Sequence, residues 1–205
     1  MTSGHRWELE EEATALAREG DFGSAGDTFV KASFEEAGDW FGSNSWAMEL
    51  RILFKACLCY RLAKQSRQCE FAAWLGIDLA EEYAERAEAP PTPSHPPDRA
   101  QRGAWHEFVG DFRLIAGLDG VTDAYEQAKD RYEQAGNPTA HYAEGPIMSS
   151  QATFSTVVLV ADVDYNYIRE STQGQLTDWV EYKQEYIGQF IDQIIASGEW
   201  KLPEK

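Results

Sequence analysis

Apolar residues recur at intervals of three and four along most of the chain, and this spacing constrains the fold more than any other feature. Between residues 5 and 19 they fall on one side of a helix: Trp7, Leu9, Ala13, Leu16 and Ala17. Such a repeat matches the 3.6 residues of an α-helical turn and produces one apolar face. The pattern returns after each short break, so we expect amphipathic helices packed around a common core.

Eight helices are predicted, at residues 5–19, 22–37, 45–64, 68–89, 99–116, 119–135, 150–170 and 175–197. Glycine favours the left-handed position that ends a helix, and side-chain oxygens such as that of Ser45 can cap the next one. Apolar positions of the fourth helix include Phe71, Trp74, Leu75, Leu79, Tyr83 and Ala87.

The stretch 157–160 is β-branched enough to form a strand. Because no partner strand is evident elsewhere, we favour helix, and both alternatives stay open for residues 150–170. Eight helices pair into four antiparallel hairpins, so the predicted fold class is all-α.

A proline-rich segment divides the chain. Five of its 8 prolines lie within residues 90–97, which therefore cannot be helical and should form an extended connector. We assign residues 1–89 to the first two hairpins, 90–98 to the linker and 99–205 to the last two hairpins. The two parts are expected to form one continuous α-helical array.

Two of these hairpins resemble the tetratricopeptide repeat. Residues 102–135 carry the stripe Trp105, Phe108, Val109 and Phe112, then a Gly-Leu-Asp-Gly turn, then Leu118, Val121, Tyr125 and Ala128. Residues 9–32 repeat this order around Gly20-Asp21-Phe22, with Ala25, Phe29 and Ala32 following. Small residues let the helix backbones approach closely, and aromatic residues fill the remaining gap.

The longer middle helices are similar to irregular tetratricopeptide-like proteins of the soluble NSF-attachment type. The resemblance implies a right-handed array of hairpins, and an ordinary helical bundle is the competing interpretation.

Arrays of this family usually bind a peptide or a helix on a concave face lined by the first helix of each hairpin. The resemblance therefore implies a groove that includes Trp7, Glu10 and Arg18 in the first hairpin, and His106 and Arg113 in the third. Arg51 and Lys55 on the third predicted helix add a basic cluster for an acidic partner segment. Alternatively, these bases pair with carboxylates of the second and fourth predicted helices.

The chain is strongly acidic. With 18 Lys and Arg against 35 Asp and Glu, its net charge is −17, which repels phosphate backbones and anionic lipids. We therefore expect neither nucleic acid nor a membrane as a partner. The low Lys content and abundant carboxylates resemble haloarchaeal proteins, and this resemblance implies a fold that loosens when salt screening is lost.

No pattern for catalysis, cofactor binding or metal binding was found. His-Glu-x-x-His, glycine-rich phosphate loops and a Gly-x-Ser-x-Gly elbow are all missing from the sequence. The first twelve residues lack the apolar region of a secretory signal, and the apolar run 154–163 is too short to span a bilayer. We therefore expect a cytoplasmic protein that is not an enzyme and holds no cofactor or metal.

The leading hypothesis is a non-catalytic interaction module that binds another protein or peptide in its concave groove. Self-association through exposed aromatic residues near the C-terminus is a further expectation, with Tyr182, Tyr186 and Trp200 as candidates. The alternative is a helical bundle that holds a small apolar or lipid-like ligand in a closed cavity. An enzyme that depends on its many carboxylates is the third hypothesis.

Overall fold

A computed structural model describes residues 3–35, 45–87, 99–140, 146–163 and 174–201, which contain eight α-helices and no β-strand. The all-α prediction is confirmed. The helices are α1 Ser3–Arg18, α2 Phe22–Phe34, α3 Ser45–Leu62, α4 Ser66–Ala87, α5 Arg99–Ala116, α6 Val121–Gln134, α7 Pro146–Val160 and α8 Leu176–Ser197.

Local sequence signals set the turns of the first and third hairpins. Gly20 has a φ of +83°, which glycine adopts without a steric penalty, and it ends α1. The Asp21 carboxylate then accepts a hydrogen bond from the Ser24 backbone N–H at 3.2 Å and caps α2. Between α5 and α6, Gly117 and Gly120 have φ values of +70° and +82°. Both breaks lie where the sequence predicts them.

Consecutive helices from α1 to α6 pack against one another, as expected for an array of hairpins. Helix α3 is the centre of this arrangement, because it also contacts α5, α7 and α8. Apolar side chains are buried on every side of it, which is typical of a helix inside a core. They are Leu50, Ile52, Leu53, Phe54, Ala56, Cys57, Leu58, Cys59, Tyr60 and Leu62.

The last two helices pack differently from the first six. Helix α7 lies against α3 and α5, while α8 contacts α6 and α7 and also reaches α3 and α5. Beyond α8, Trp200 is buried and lies near the Phe29 ring of α2, with 6.2 Å between ring centroids. The expectation that Trp200 is exposed for self-association is therefore wrong, because its ring packs against the first hairpin. The segment that follows α8 therefore reaches the first hairpin.

Two sequence expectations for α7 are corrected. The helix begins at Pro146, although residues up to 149 were predicted as loop, because proline is well suited to the first position of a helix. Residues 157–160 are helical, so the strand alternative is wrong for them. Burial of Val157, Val158 and Val160 outweighs their β-propensity. The prediction for residues 164–170 lies outside the described residues.

Glycines inside helices allow aromatic rings of neighbouring helices to approach the backbone. A Cβ atom at Gly76 of α4 would lie 2.3 Å from the Phe112 ring of α5, and one at Gly103 of α5 would lie 2.4 Å from the Tyr132 ring of α6. Real atoms do not approach so closely, so any larger residue would push the helices apart. These contacts agree with the predicted alternation of small and aromatic residues.

The proline-rich linker at 90–98 lies outside the described residues, so the domain boundaries stay a prediction. The helices on either side of it, α4 and α5, pack directly on each other. Their buried apolar residues belong to one hydrophobic cluster that extends from α1 to Trp200.

Replacing Gly76 by alanine is expected to destabilise the fold by about 1–3 kcal/mol, because the added methyl group overpacks against Phe112. Gly188→Ala in α8 is the matched control, since its Cβ would be 3.9 Å from Leu114, an ordinary contact distance. There the helix propensity of alanine should stabilise the protein by up to about 1 kcal/mol. Urea unfolding measures both changes, and equal effects at the two sites would contradict the tight packing of α4 on α5.

Candidate functional site

The predicted groove residues of the first hairpin lie in different environments. Trp7 is 52% exposed and Arg18 is also exposed. Glu10 is buried, and its carboxylate accepts a hydrogen bond from Lys55 Nζ at 3.3 Å. The structure thus brings together two of the predicted residues, Glu10 and Lys55, as an ion pair between α1 and α3.

The basic cluster on α3 is largely covered. Burial lowers the pKa of Lys55, against the opposing effect of the Glu10 carboxylate, and its ammonium lies 5.6 Å from the centre of the Phe29 ring. Arg51 is half-buried, and its Nε has no hydrogen-bond partner within the described ranges. Lys55 pairs with a carboxylate of α1, whereas the alternative for the basic cluster named carboxylates of the second and fourth helices.

The remaining predicted groove residues lie on α5. His106 and Arg113 are both half-buried, and Arg113 Nη1 donates a hydrogen bond to the Asp119 carbonyl at 2.7 Å. Helix α7 packs against α3 and α5, the helices that were expected to line the groove. Whether the seven predicted residues bind a partner stays a prediction.

A buried polar network joins the last four helices. Lys183 of α8 has no exposed side-chain surface. Its ammonium donates to Glu107 Oε2 at 3.1 Å, to Asp111 Oδ2 at 2.7 Å and to Ser150 Oγ at 2.7 Å. Glu107 and Asp111 lie one turn apart on α5 and are also fully buried, and Ser150 belongs to α7.

The two carboxylates of this network accept further hydrogen bonds. The Tyr125 hydroxyl of α6 donates to Asp111 Oδ1 at 2.7 Å, and Trp179 Nε1 of α8 donates to Glu107 Oε2 at 2.9 Å. Glu107 also accepts from the hydroxyl groups of Tyr132 and Ser150. Buried charges are tolerated when they are paired and hydrogen-bonded, and these groups satisfy one another.

Burial shifts the ionisation of the network. It raises the pKa of Asp111 to about 6, against the opposing effect of the Lys183 charge. For Lys183, burial alone would lower the pKa, but the charges of Asp111 and Glu107 outweigh it and hold the pKa above its ordinary value. Because the three groups have no exposed surface, a dissolved substrate cannot reach them, and we interpret the network as structural.

The sequence interpretation missed this network, although one signal for it exists. Lys183 lies four residues after Trp179 and four residues before Ile187, on the apolar stripe of α8, where a charged side chain needs a buried partner.

A second feature is a line of exposed side chains on α4, which we name the α4 ridge. Spaced alternately four and three residues apart, its members share one side of the helix and all are exposed: Arg67, Phe71, Trp74, Asp78, Glu81 and Glu85. Phe71 is 64% exposed and Trp74 is 44% exposed. The opposite side of α4, which includes Ala73, Gly76 and Ala80, is buried.

An open cleft of about 390 Å³ borders the ridge. Its apolar wall is made by Val30 of α2, the Tyr60 ring of α3 and Phe71 of α4. Polar groups stand at its edge: the Asp27 carboxylate accepts a hydrogen bond from the Tyr60 hydroxyl at 2.7 Å, and Arg67 lies on the α4 side. The cleft can therefore receive an apolar side chain beside a free positive charge.

Arg67 lacks an acidic partner among the residues that the structure describes. Lys55, Lys129, Lys183 and Lys201 each lie within 4.0 Å of a carboxylate, whereas Arg67 forms no ion pair and no hydrogen bond with any described residue. It also lies in the first turn of α4, where the helix dipole disfavours a positive charge. In a chain with 35 acidic residues, an unpaired arginine at this position indicates a surface available to a negatively charged group.

In the described part of the chain, no cluster of three or more His, Cys, Asp and Glu side chains is suited to a metal ion. No helix there has the length and apolar character needed to cross a membrane. Comparisons with protein families, curated proteins and solved structures found no match. Fold and surface together define an all-α protein of helical hairpins that exposes two aromatic residues on the α4 ridge.

Replacing Lys183 by methionine should destabilise the protein by about 3–5 kcal/mol, because two carboxylates would stay buried without their cation. Lys129→Met is the matched control: its partners Glu126 and Glu181 are solvent-exposed, and such ion pairs contribute only about 0–1 kcal/mol. Denaturant titration followed by circular dichroism compares the two. A loss for Lys183→Met no larger than that for Lys129→Met would show that the network is not essential to stability.

The raised pKa of Asp111 predicts a pH dependence with a definite sign. An unfolded Asp ionises near pH 4, whereas Asp111 in the native fold ionises near pH 6, since its pKa is raised to about 6. The native state therefore holds more protons in this window, and the contribution of Asp111 to stability falls by about 3 kcal/mol as pH rises through it. The difference in unfolding free energy between wild type and Asp111→Asn, measured from pH 4 to pH 7, should fall accordingly. A difference that is constant with pH would contradict the shifted pKa.

Proposed function

We propose that this chain is a non-catalytic helical-hairpin protein that binds other protein chains, and that its docking surface is the α4 ridge with the adjoining cleft. The observation that supports this most directly is the exposure of Phe71 and Trp74 on successive turns of one helix. Large exposed aromatic groups beside an arginine are the composition typical of residues that dominate binding energy at protein interfaces.

Most of the described aromatic residues are buried, although Trp7 and Phe34 are exposed in the same way as Phe71 and Trp74. Trp105 and Trp179 are each 1% exposed, and Phe54, Phe108 and Phe112 are also fully buried. The chain can evidently bury aromatic groups of this size. Leaving two of them on one ridge costs hydration free energy, which a docked partner would recover.

The ridge has a firm support. Helix α4 packs on both α3 and α5, and the contact between Gly76 and the Phe112 ring leaves little room for α4 to move toward the core. A preorganised surface loses less conformational entropy when a partner binds. The open shape of the neighbouring cleft favours a protruding side chain of a protein partner over the enclosed small ligand of the alternative hypothesis.

This proposal places docking on a different surface from the groove implied by the family resemblance. Glu10 and Lys55 already bind each other, and α7 packs against the helices expected to line that groove. Trp7 and Arg18 stay exposed and belong to the competing location. The two locations are separate enough in the fold to be tested by separate substitutions.

Three finer statements belong to the same proposal. The packing of α1 to α6 and the turn at Gly20 support a tetratricopeptide-like array. The net charge of −17 supports a protein adapted to high salt, and it also supports a cytoplasmic setting in which such salt is maintained.

Capture of the tagged protein from its own host, after mild cross-linking, tests the docking surface. The matched variants are Trp74→Ala on the ridge and Trp7→Ala on α1, which remove the same side chain at 44% and 52% exposure. A second copy of the chain, carrying another tag, is counted as a partner. We expect Trp7→Ala to retain the partner and Trp74→Ala to reduce the amount captured at least about 10-fold. Truncating an aromatic hot spot weakens binding by about 1.4 kcal/mol or more.

The reverse result would move docking to the implied groove, and capture of no protein by the wild type would refute the interaction function. Circular dichroism in the same buffers distinguishes a loss of binding from unfolding of the protein. This control matters because lower salt would weaken the screening that an acidic fold needs.

A further inference from the structure

The charged and aromatic residues of the α4 ridge are spaced symmetrically about its centre. Read from either end, the order is a charged residue, two aromatic residues and a residue of the opposite charge. Arg67 precedes Phe71 by four residues, and Asp78 follows Trp74 by four residues. The midpoint between the two aromatic residues is also the midpoint between the base and the acid. Lys64 and Glu81 lie symmetrically about this same midpoint, farther along the chain.

Resting on the proposed function of this surface, we propose that its partner is a second copy of the chain, with the two α4 ridges packed antiparallel about a two-fold axis. The axis passes between Phe71 and Trp74. Arg67 of each copy then faces Asp78 of the other, and each Phe71 ring faces the Trp74 ring of the second copy. A two-fold contact uses the same patch on both copies, so the patch must be complementary to itself, as this one is.

Charge selects the antiparallel orientation. In a parallel pairing, Arg67 would face Arg67 and Asp78 would face Asp78, and like charges directly opposite each other are unfavourable. The antiparallel pairing gives Arg67 the acidic partner that it lacks among the described residues of its own chain. It also brings the basic end of each ridge toward the acidic end, with Glu81 and Glu85, of the second ridge.

Net charge makes this surface the favoured place for two copies to meet. Each copy carries a net charge of −17, so contact between most parts of two surfaces is repulsive. On the α4 ridge, a base that has no partner among the described residues and an exposed acid lie on either side of an apolar centre. Asp78 forms no ion pair with a base among the described residues, so both charges are available for this contact.

The area of the ridge predicts a weak dimer. Phe and Trp side chains cover about 150–250 Å² each, and roughly half of this is free, so two copies would bury about 400 Å² of aromatic surface. Stable interfaces bury about 1,200–2,000 Å² in total, and the charged ends and the neighbouring side of α2 would add the remainder. We therefore expect a dissociation constant on the order of 10 μM.

Sedimentation velocity of the full chain, from about 1 to about 200 μM, tests this pairing because the range spans the expected dissociation constant. The variants are Arg67→Glu and Asp78→Arg, both on exposed positions, with circular dichroism to verify the fold. Each variant alone places two like-charged pairs across the two-fold axis, and we expect its dimer to be weakened about 10-fold. An equal mixture of the two variants restores both opposite-charge pairs in a heterodimer, which should form within about 3-fold of wild-type affinity.

Three results would overturn the pairing. The first is a wild type that stays monomeric over the whole concentration range. The second is that both single variants dimerise as well as the wild type, and the third is that the mixture of variants fails to associate. If capture of a different protein still depends on Trp74 while the wild type is monomeric, the docking surface stands and only the second copy is excluded. If neither dimer nor Trp74-dependent capture is found, the proposed function fails as well.

Discussion

The ammonium group of Lys183 lies where α5, α6, α7 and α8 meet, and the placement of the last two helices depends on its contacts. Apolar packing is non-directional and leaves the rotation of a helix poorly determined. The bonds from Lys183 to Glu107, Asp111 and Ser150 are directional, so they fix how α8 is turned and where α7 lies beside it. We infer that the network contributes more to the choice of one arrangement than to net stability, because desolvation offsets much of its attraction.

Much of the first six helices could be predicted from sequence because their signals are local. A glycine with positive φ and a capping aspartate define the turn at Gly20 and Asp21 whatever the rest of the chain does. The predicted start of α7, at residue 150, is too late. The helix begins at Pro146, and proline starts some helices but breaks others, so its presence does not show which role it has. The contacts of α7 and α8 join residues distant in sequence, and periodicity carries no information about which distant helix they meet.

The candidate site could not be predicted for a related reason. Helix α4 has apolar residues on more than one side, and the sequence does not distinguish Phe71 and Trp74 from the other apolar residues of the helix. In the structure the small residues Ala73, Gly76 and Ala80 face the core, while the two large rings face outward. Close approach of helix backbones requires small residues, so size decides which side of α4 is buried, against the simple order of hydrophobicity. The family resemblance directed attention to the first helix of each hairpin and away from this side.

The contact between Phe29 and Trp200 also affects how the chain is made. Repeat arrays are often stabilised by neighbouring units alone, so each unit can fold soon after it leaves the ribosome. Here the Phe29 ring, fully buried in the finished fold, is covered in part by Trp200, a side chain that is translated long after it. The apolar surface around Phe29 in the first hairpin therefore stays uncovered until Trp200 has been synthesised. A high local density of carboxylates, as on α1, keeps such a nascent segment apart from other chains during that interval.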